Sequence, residues 1–284
     1  MAPNGTNTIL ITGATGKTGA PLVERFLANP DTNTKLLLAT RSPPSTAVGA
    51  EHVVFDWADE STYAAPFVGN KITAVYLVAP QVPTMRVTAF IDLARTRGVR
   101  RFVLLSATVC EKGGVAMGEV HAYLDKLGVE YCALRPSWFI QNFATQYAED
   151  ICLRDEIVSA TGTGTLGYVS TADIADVAYK ALTAEKLDRS EEIIVGPELV
   201  SYDEIAQTLA NVLGRKITHR SLPAKQMKEV FMARGMPAEY AELMVSLDGL
   251  VAQGREAEMY QRATVVGKES VRAFVQKNKR AWVV

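Results

Sequence analysis

The chain is poor in cysteine and histidine, with three of each in 284 residues. Cys110, Cys132 and Cys152 lie far apart, and no CxxC pair or Cys/His cluster occurs. This excludes a disulfide framework and a zinc site, both of which need grouped ligands. His52, His121 and His219 are scattered beyond metal-ligand spacing. Surplus charge of either sign is also missing: 30 Lys and Arg face 31 Asp and Glu, a net charge of -1. A nucleic-acid binder needs a basic excess to neutralise phosphates, and a disordered chain needs high net charge. No apolar run approaches the ~20 residues of a transmembrane helix. The start, Met1 to Asn7, is polar and lacks the basic region and apolar core of a signal peptide. The expectation is a cytoplasmic protein with reduced thiols, no metal, no nucleic-acid partner and no membrane partner.

What is present is an ordinary globular composition, 48% apolar and 21% charged. The first half alternates short apolar runs with helical patterns. The runs are Thr8–Thr12, Lys35–Ala39, His52–Phe55, Ala74–Val78, Phe102–Leu105 and Tyr131–Leu134. Continuous apolar runs suit strands buried on both faces of a parallel sheet. Between them, Val87, Phe90, Ile91 and Ala94 recur at i, i+3, i+4 and i+7, and Val120, Leu124 and Leu127 at i, i+4 and i+7. The alternation predicts an α/β fold, a Rossmann-type doubly wound parallel sheet. Residues 1–155 form its core, with strand and helix contributions from 156–196. A further helix opens at Ser170–Asp173 and runs to about Leu182. Ile193–Val195 reads as a short strand that Gly196–Pro197 ends. Ser201 and Glu204 fit a capping box for a helix that stops at Gly214. From Pro223 the pattern is helical, so residues 197–284 are expected to form a small C-terminal helical substrate-binding cap.

The informative motif is Gly13-Ala14-Thr15-Gly16-Lys17-Thr18-Gly19, directly after the first strand and before a helix carrying Leu22, Val23, Phe26 and Leu27. Its glycines let a pyrophosphate approach the backbone and rest on a helix N-terminus. A P-loop reading fails, because the glycine it needs five positions before Gly16 is Ile11, inside the strand. The second strand ends Ala39-Thr40-Arg41-Ser42, where an NAD-preferring domain carries a carboxylate for the ribose 2′-hydroxyl. Arg41 stands there instead, and a guanidinium can pair with a 2′-phosphate. NADP(H) is therefore expected over NAD(H), with Gly13, Thr15, Gly16, Lys17, Thr18, Arg41 and Ser42 on its phosphates. The alternative for Arg41 is a solvated surface arginine. Asp56 is placed for the adenine, and Ala79 and Pro80 for the nicotinamide half. Ser106, after the fifth strand, completes the expected cofactor set.

These residues resemble the NmrA-like branch of atypical short-chain dehydrogenases, and within it the fungal ergot-alkaloid festuclavine and agroclavine dehydrogenases. The resemblance continues through Phe55-Asp56-Trp57, Ala74–Pro80, Arg101–Ala107, Ala116-Met117-Gly118, His121–Leu124, Gly128–Tyr131, Leu134–Phe139 and Gly196–Leu199. The loop departs from that subgroup, since Ala14 and Gly19 follow the broader NmrA-like pattern. The resemblance implies an NADPH-binding enzyme of fungal indole-alkaloid metabolism acting on a small-molecule indole-alkaloid substrate.

One expected feature is missing. Short-chain dehydrogenases reduce carbonyls with a Tyr-x-x-x-Lys pair, and none of the ten tyrosines has a lysine four residues on. The related isoflavone-reductase-like enzymes carry a lysine in the helix after the fifth strand, where this chain reads Met117–His121. Tyr123, which shares a helix face with Lys126, is a candidate substitute; the alternative is a packing tyrosine. His121 is a second candidate proton donor, or else a local partner of Asp125. Reducing a ketone develops negative charge on oxygen, so a donor helps. An iminium already carries its positive charge and needs none. The expected substrate wall is apolar and aromatic, from Met117, Tyr123, Trp138, Phe139 and Met232, whereas Phe143 and Phe231 are expected in the core.

The reading that follows is an NADPH-dependent imine or iminium reductase, monomer or homodimer, with the reacting carbon over the nicotinamide. A redox-assisted cyclase, including a Diels–Alderase of a prenylated indole-alkaloid pathway, needs the same features. So does an NmrA-like redox sensor, although a sensor needs no roomy cavity.

Overall fold

A computed structural model describes residues 7–29, 34–42, 50–79 and 84–283. The apolar runs become strands and the periodic segments helices, in chain order. They are β1 (Asn7–Thr12), α1 (Gly19–Leu27), β2 (Thr34–Thr40), β3 (Glu51–Val54), β4 (Ile72–Leu77), α2 (Thr84–Thr96), β5 (Arg101–Leu105), α3 (Met117–Leu127) and β6 (Glu130–Pro136). The chain continues through α4 (Ala148–Leu153), β7 (Glu156–Ser159), β8 (Thr165–Leu166), α5 (Thr171–Thr183), β9 (Glu191–Val195), β10 (Val200–Ser201), α6 (Tyr202–Leu213) and β11 (Thr218–Ser221). It ends with α7 (Ala224–Ala233), α8 (Ala238–Ala252), α9 (Arg255–Gln261), β12 (Val265–Val266) and α10 (Val271–Lys277). The central sheet has eight strands in the order β12-β9-β6-β5-β4-β1-β2-β3. Its 3-2-1-4-5-6 half is the dinucleotide-binding order, with ligands expected at the carboxyl ends of the strands. None of the helices among the described residues is long and apolar enough to cross a membrane.

The chain divides into two compact units. One comprises the described residues up to Pro136 together with Thr171–Glu192; the other comprises Ser137–Ser170 and Ile193 onward. In the first unit, Leu10, Val75, Leu77, Phe102 and Leu104 pack with Val87, Phe90 and Ile91 of α2 and Val120 and Leu124 of α3. Burying each such side chain contributes about 1.5–3 kcal/mol. Phe55, Trp57 and Tyr63 join Phe90 there, with ring centroids 4.9–5.8 Å apart. Helices α1 and α5 pair through the rings of Phe26 and Tyr179, 4.7 Å apart, and through Arg25–Asp176 at 2.7 Å. Arg101 caps the C-terminal end of α5, donating to the carbonyls of Ala181, Leu182 and Ala184 while Glu130 neutralises it. Those carbonyls have no intrahelical partner, so a cation there satisfies them and the helix dipole together.

The second unit differs from the cap expected over 197–284. It takes in residues 137–170 and is not purely helical. Ile140, Phe143, Tyr147, Ile151, Ile157, Leu166 and Tyr168 share one apolar cluster with Tyr202, Ile205, Leu209 and Trp282, which is why the chain changes unit at Ser137. β7 pairs with β11 in parallel, and β8 with β10 antiparallel. The predicted capping box is present: Ser201 accepts from the Glu204 amide and Glu204 reaches back to the Ser201 amide. The helix ends at Gly214, whose φ of 70° is the left-handed cap a glycine adopts without strain.

Candidate active site

The glycine loop is built by contact. Gly13 has φ +64°, and a Cβ there would stand 3.1 Å from the Val78 side chain. A Cβ on Gly19 would meet the Gly13 carbonyl at 2.2 Å, so only glycine lets α1 begin against the loop. Gly16 closes the turn, its amide donating to the Gly13 carbonyl at 2.9 Å. Thr15, Gly16 and Lys17 are exposed, and Thr18 is buried at the N-cap without a side-chain cap bond. No acidic residue occupies the first turn of α1. Partial withdrawal from water lowers the Lys17 ammonium below its ordinary value. An open glycine turn, first-turn amides without a capping side chain, no acidic residue in that turn and a lysine suit a pyrophosphate. By this test the residues present fit a dinucleotide.

Two residues the sequence reading passed over hold this cradle. The Thr12 hydroxyl donates to the carbonyls of Tyr76 and Val78 and accepts from the Val78 amide at 2.7 Å. The Trp57 indole donates to the same Val78 carbonyl at 3.0 Å. The Trp57 carbonyl in turn takes the Tyr63 hydroxyl and Arg86. Val78 is thereby pressed against Gly13. The only sequence signal was an apolar-threonine strand end and a tryptophan after the third strand.

Arg41 and Ser42 are exposed directly after β2. Asp56 is half-buried beyond β3, and one of its carboxylate oxygens already accepts from the Ala58 amide at 2.9 Å. Ala79 follows β4 half-buried, and Pro80 lies outside the described residues. The Ser106 amide donates to the Leu134 carbonyl at 2.7 Å, and its hydroxyl is buried without a hydrogen-bond partner. Met117 is half-buried at the start of α3. Arg41, Asp56, Ala79 and Ser106 thus lie just past the carboxyl ends of β2, β3, β4 and β5.

The two candidate acids lie within α3. Tyr123 lies in the second turn of α3, and its hydroxyl donates to Asp92 of α2 at 2.7 Å. That bond, with desolvation and the carboxylate's charge, holds the phenol above its ordinary value. Through this bond Tyr123 ties α3 to α2. His121 is 1% exposed, its ring edge-on to Tyr131 at 5.5 Å. Desolvation pulls its pKa below the usual histidine range, which disfavours the protonated ring. The alternative bond to Asp125 is not made either: Asp125 pairs with Lys112 and Tyr131.

In the second unit, Trp138 and Phe139 are half-buried and follow β6. Trp138 packs on the aromatic cluster and its carbonyl accepts from the Val169 amide. Met232 is 45% exposed and points away from the core, whereas its neighbour Phe231 is buried with Met227, Ala241 and Val245. A cavity of about 410 Å³ beside it is lined by Phe231, Met236, Tyr240 and Met244 among others. Elsewhere His219 stands between Asp203, at 3.0 Å, and Ser159, at 2.9 Å. This is a hydrolase-like order, but Ser159 is fully buried and also bonded to Thr161, so no substrate reaches it.

Comparison with known proteins agrees with the geometry. Residues 13–185 match the family model described as NAD(P)H-binding. Agroclavine dehydrogenase of Claviceps fusiformis is 40% identical over 98% of this chain and 99% of its own. Festuclavine synthase I of Penicillium roqueforti is 38% identical over 97% of this chain and 100% of its own. The protein belongs to this NAD(P)H-binding oxidoreductase family. Among solved structures, the Escherichia coli quinone oxidoreductase QOR2 complexed with NADPH superimposes with a TM-score of 0.78 at 18% identity, covering 95% of this chain and 99% of that one. The Citrobacter triphenylmethane reductase complexed with NADP(H) gives 0.77 at 18%, with the same coverage. The chain is an enzyme of the oxidoreductase class, built on a Rossmann-type sheet with an NAD(P)H-binding domain.

Proposed function

We propose that the protein is an NADPH-dependent reductase of a carbon–nitrogen double bond in a bulky indole-alkaloid substrate. The observations that carry the reading are the open glycine cradle before α1 and two candidate acids, Tyr123 bonded to Asp92 and His121 buried in the packing of α3. Gly13, Thr15, Gly16, Lys17 and Thr18 would hold the pyrophosphate, and Arg41 with Ser42 the 2′-phosphate. Asp56 would meet the adenine through its second carboxylate oxygen, and Ala79 the nicotinamide half. When bound, the nicotinamide supplies a hydride. The protein's share is to bind, orient and exclude water, which lowers the barrier by making the encounter intramolecular. Ketone reduction would also require a proton donor or oxyanion site. Tyr123 is bonded to Asp92, and burial of His121 disfavours its protonated form, which favours a substrate that brings its own positive charge. Met117 offers an apolar contact for the ring system. The alkaloid class rests on what the relatives' names say of them: agroclavine and festuclavine.

The test is to incubate the enzyme with preformed indole-derived iminium ions and NADPH deuterated at the transferable position. One NADPH consumed and one deuterium gained on the carbon beside nitrogen per product is the expected outcome. Product at an unchanged oxidation level with only trace cofactor would replace this reading by a redox-assisted cyclase. Tight binding of both cofactor forms with no product from any imine would favour a sensor.

A further inference from the structure

Arg135 is the penultimate residue of β6, and its side chain is 2% exposed. A charge so buried persists only when paired and hydrogen-bonded. This one is engaged on every side. Nη1 meets Glu191 Oε2 at 2.9 Å, Nη2 donates to the Thr108 carbonyl at 2.5 Å, and Nε donates to the Ala107 carbonyl at 3.4 Å. Both carbonyls belong to the segment Ser106–Ala116, which leaves β5 at the carboxyl end of the sheet and leads into α3.

The inner end of that segment is fixed to β6, through Ser106 to the Leu134 carbonyl and Thr108 to the Pro136 carbonyl at 3.1 Å. Its outer end folds on itself. The Gly113 amide donates to Gly118 at 2.8 Å and Gly114 to Glu111 at 2.9 Å, and a Cβ on Gly118 would stand 2.2 Å from the Glu111 carbonyl. The residue before α3, Ala116, has φ 52° and ψ -121°. An alanine held there is strained and stays only where its surroundings over-determine it. Lys112 ties the outer end to Asp125 of α3, backbone bonds hold the Ser106 and Thr108 amides at the inner end, and the guanidinium adds the carbonyls of Ala107 and Thr108.

We propose that Arg135, braced by Glu191, is a positioning residue that holds Ser106–Ala116 in this strained shape, and with it the placement of Ser106 and Met117 at the substrate. One planar group donates at once to two carbonyls and a carboxylate, which a lysine ammonium cannot span. Cys110 gives the segment its own reporter. It is half-buried within it, while Cys132 is buried in β6 and Cys152 is half-buried in the second unit. The claim about turnover rests on the reductase reading; the holding of the segment does not.

The test uses the full chain with Arg135→Lys, Arg135→Ala and Glu191→Gln. The readouts are kcat and KM, NADPH affinity by fluorescence titration, and iodoacetamide labelling of each cysteine by peptide mass. Loss of the anchor should speed Cys110 labelling about tenfold while Cys132 and Cys152 stay within about twofold, the signature of local opening. In the lysine variant kcat should fall about 10- to 100-fold while the NADPH Kd moves less than about threefold, as a misplaced reacting group predicts. Free guanidinium ion at millimolar concentration should restore Arg135→Ala in both readouts. Where the Arg135 variants fail to fold, Glu191→Gln keeps the guanidinium and should show the smaller acceleration at Cys110. Equal acceleration of all three thiols, or an unchanged Cys110, would overturn the proposal. No turnover by the wild type on any imine would sink the reductase reading alone, and Cys110 labelling would still decide the anchor.

Discussion

Arg41 illustrates what a single residue reveals from sequence and what it hides. A guanidinium where a carboxylate would bind a 2′-hydroxyl is a chemical contrast legible without coordinates. Arg41→Ala should weaken NADPH about 10- to 100-fold and NADH little, since a charge-assisted bond to phosphate contributes about 1.5–3 kcal/mol. Equal weakening of both cofactors, read by fluorescence titration, would remove the 2′-phosphate role. The glycines were legible for the same reason: each answers a local need, a left-handed turn at Gly13 and a close approach at Gly19. Tyr123 and His121 were not, because their roles depend on residues that meet them only in space. Asp92, 31 positions away, decides the tyrosine, and the packing of α3 on β6 decides the histidine. Trp57 escaped notice likewise, as its partner Val78 is 21 positions on. Trp57→Phe keeps the ring and loses one hydrogen bond of about 1 kcal/mol, so the NADPH Kd should rise about 3- to 10-fold. An unchanged Kd would show that Thr12 alone suffices to seat Val78.

Strands β1, β2 and β4 to β6 and helices α2 and α3 could be read because each carries its own burial pattern, continuous for a two-sided strand and periodic for a one-sided helix. α6 could be read at both ends, from the Ser201–Glu204 box and from Gly214. Ser201→Ala should lower unfolding free energy by about 1 kcal/mol in urea, with NADPH affinity unchanged. A loss of cofactor affinity in step with stability would contradict the separation of this cap from the cradle. β11 could not be read. Its Thr-His-Arg-Ser is polar and largely exposed, since it borders a two-stranded ribbon and needs no apolar face. β7 beside it is buried, but four residues are too few to distinguish from a helical turn by periodicity.

For the molecule as a whole, pH dependence provides a further test. Asp248 is 1% exposed, and burial raises its carboxyl from an ordinary 3.8 to about 6, against the Ala160 amide that lowers it. The folded chain therefore binds this proton more tightly than the unfolded chain. Its stabilisation is present below pH 3.8 and is lost as pH rises to about 6. Asp248→Asn has no such proton. The stability of the wild type relative to this variant should fall between about pH 4 and 6 by at most about 3 kcal/mol, then level off. Glu130 and Glu156, both held low, are common to the two proteins and cancel. A flat difference across that range would mean that Asp248 is solvated.

The first unit is interrupted in sequence: α5, which closes over α1 through Tyr179 and Asp176, follows residues 137–170 of the other unit. During synthesis on the ribosome, the cofactor half therefore waits. Until Thr171–Thr183 has emerged, Phe26 has no ring to pack against and the Arg101 guanidinium has no helix end to cap. A nascent chain stalled at Pro136 should be open to protease in α1, and one stalled well past Glu192 should be resistant. The order of translation thus makes the dinucleotide fold a late event, completed after part of its companion already exists.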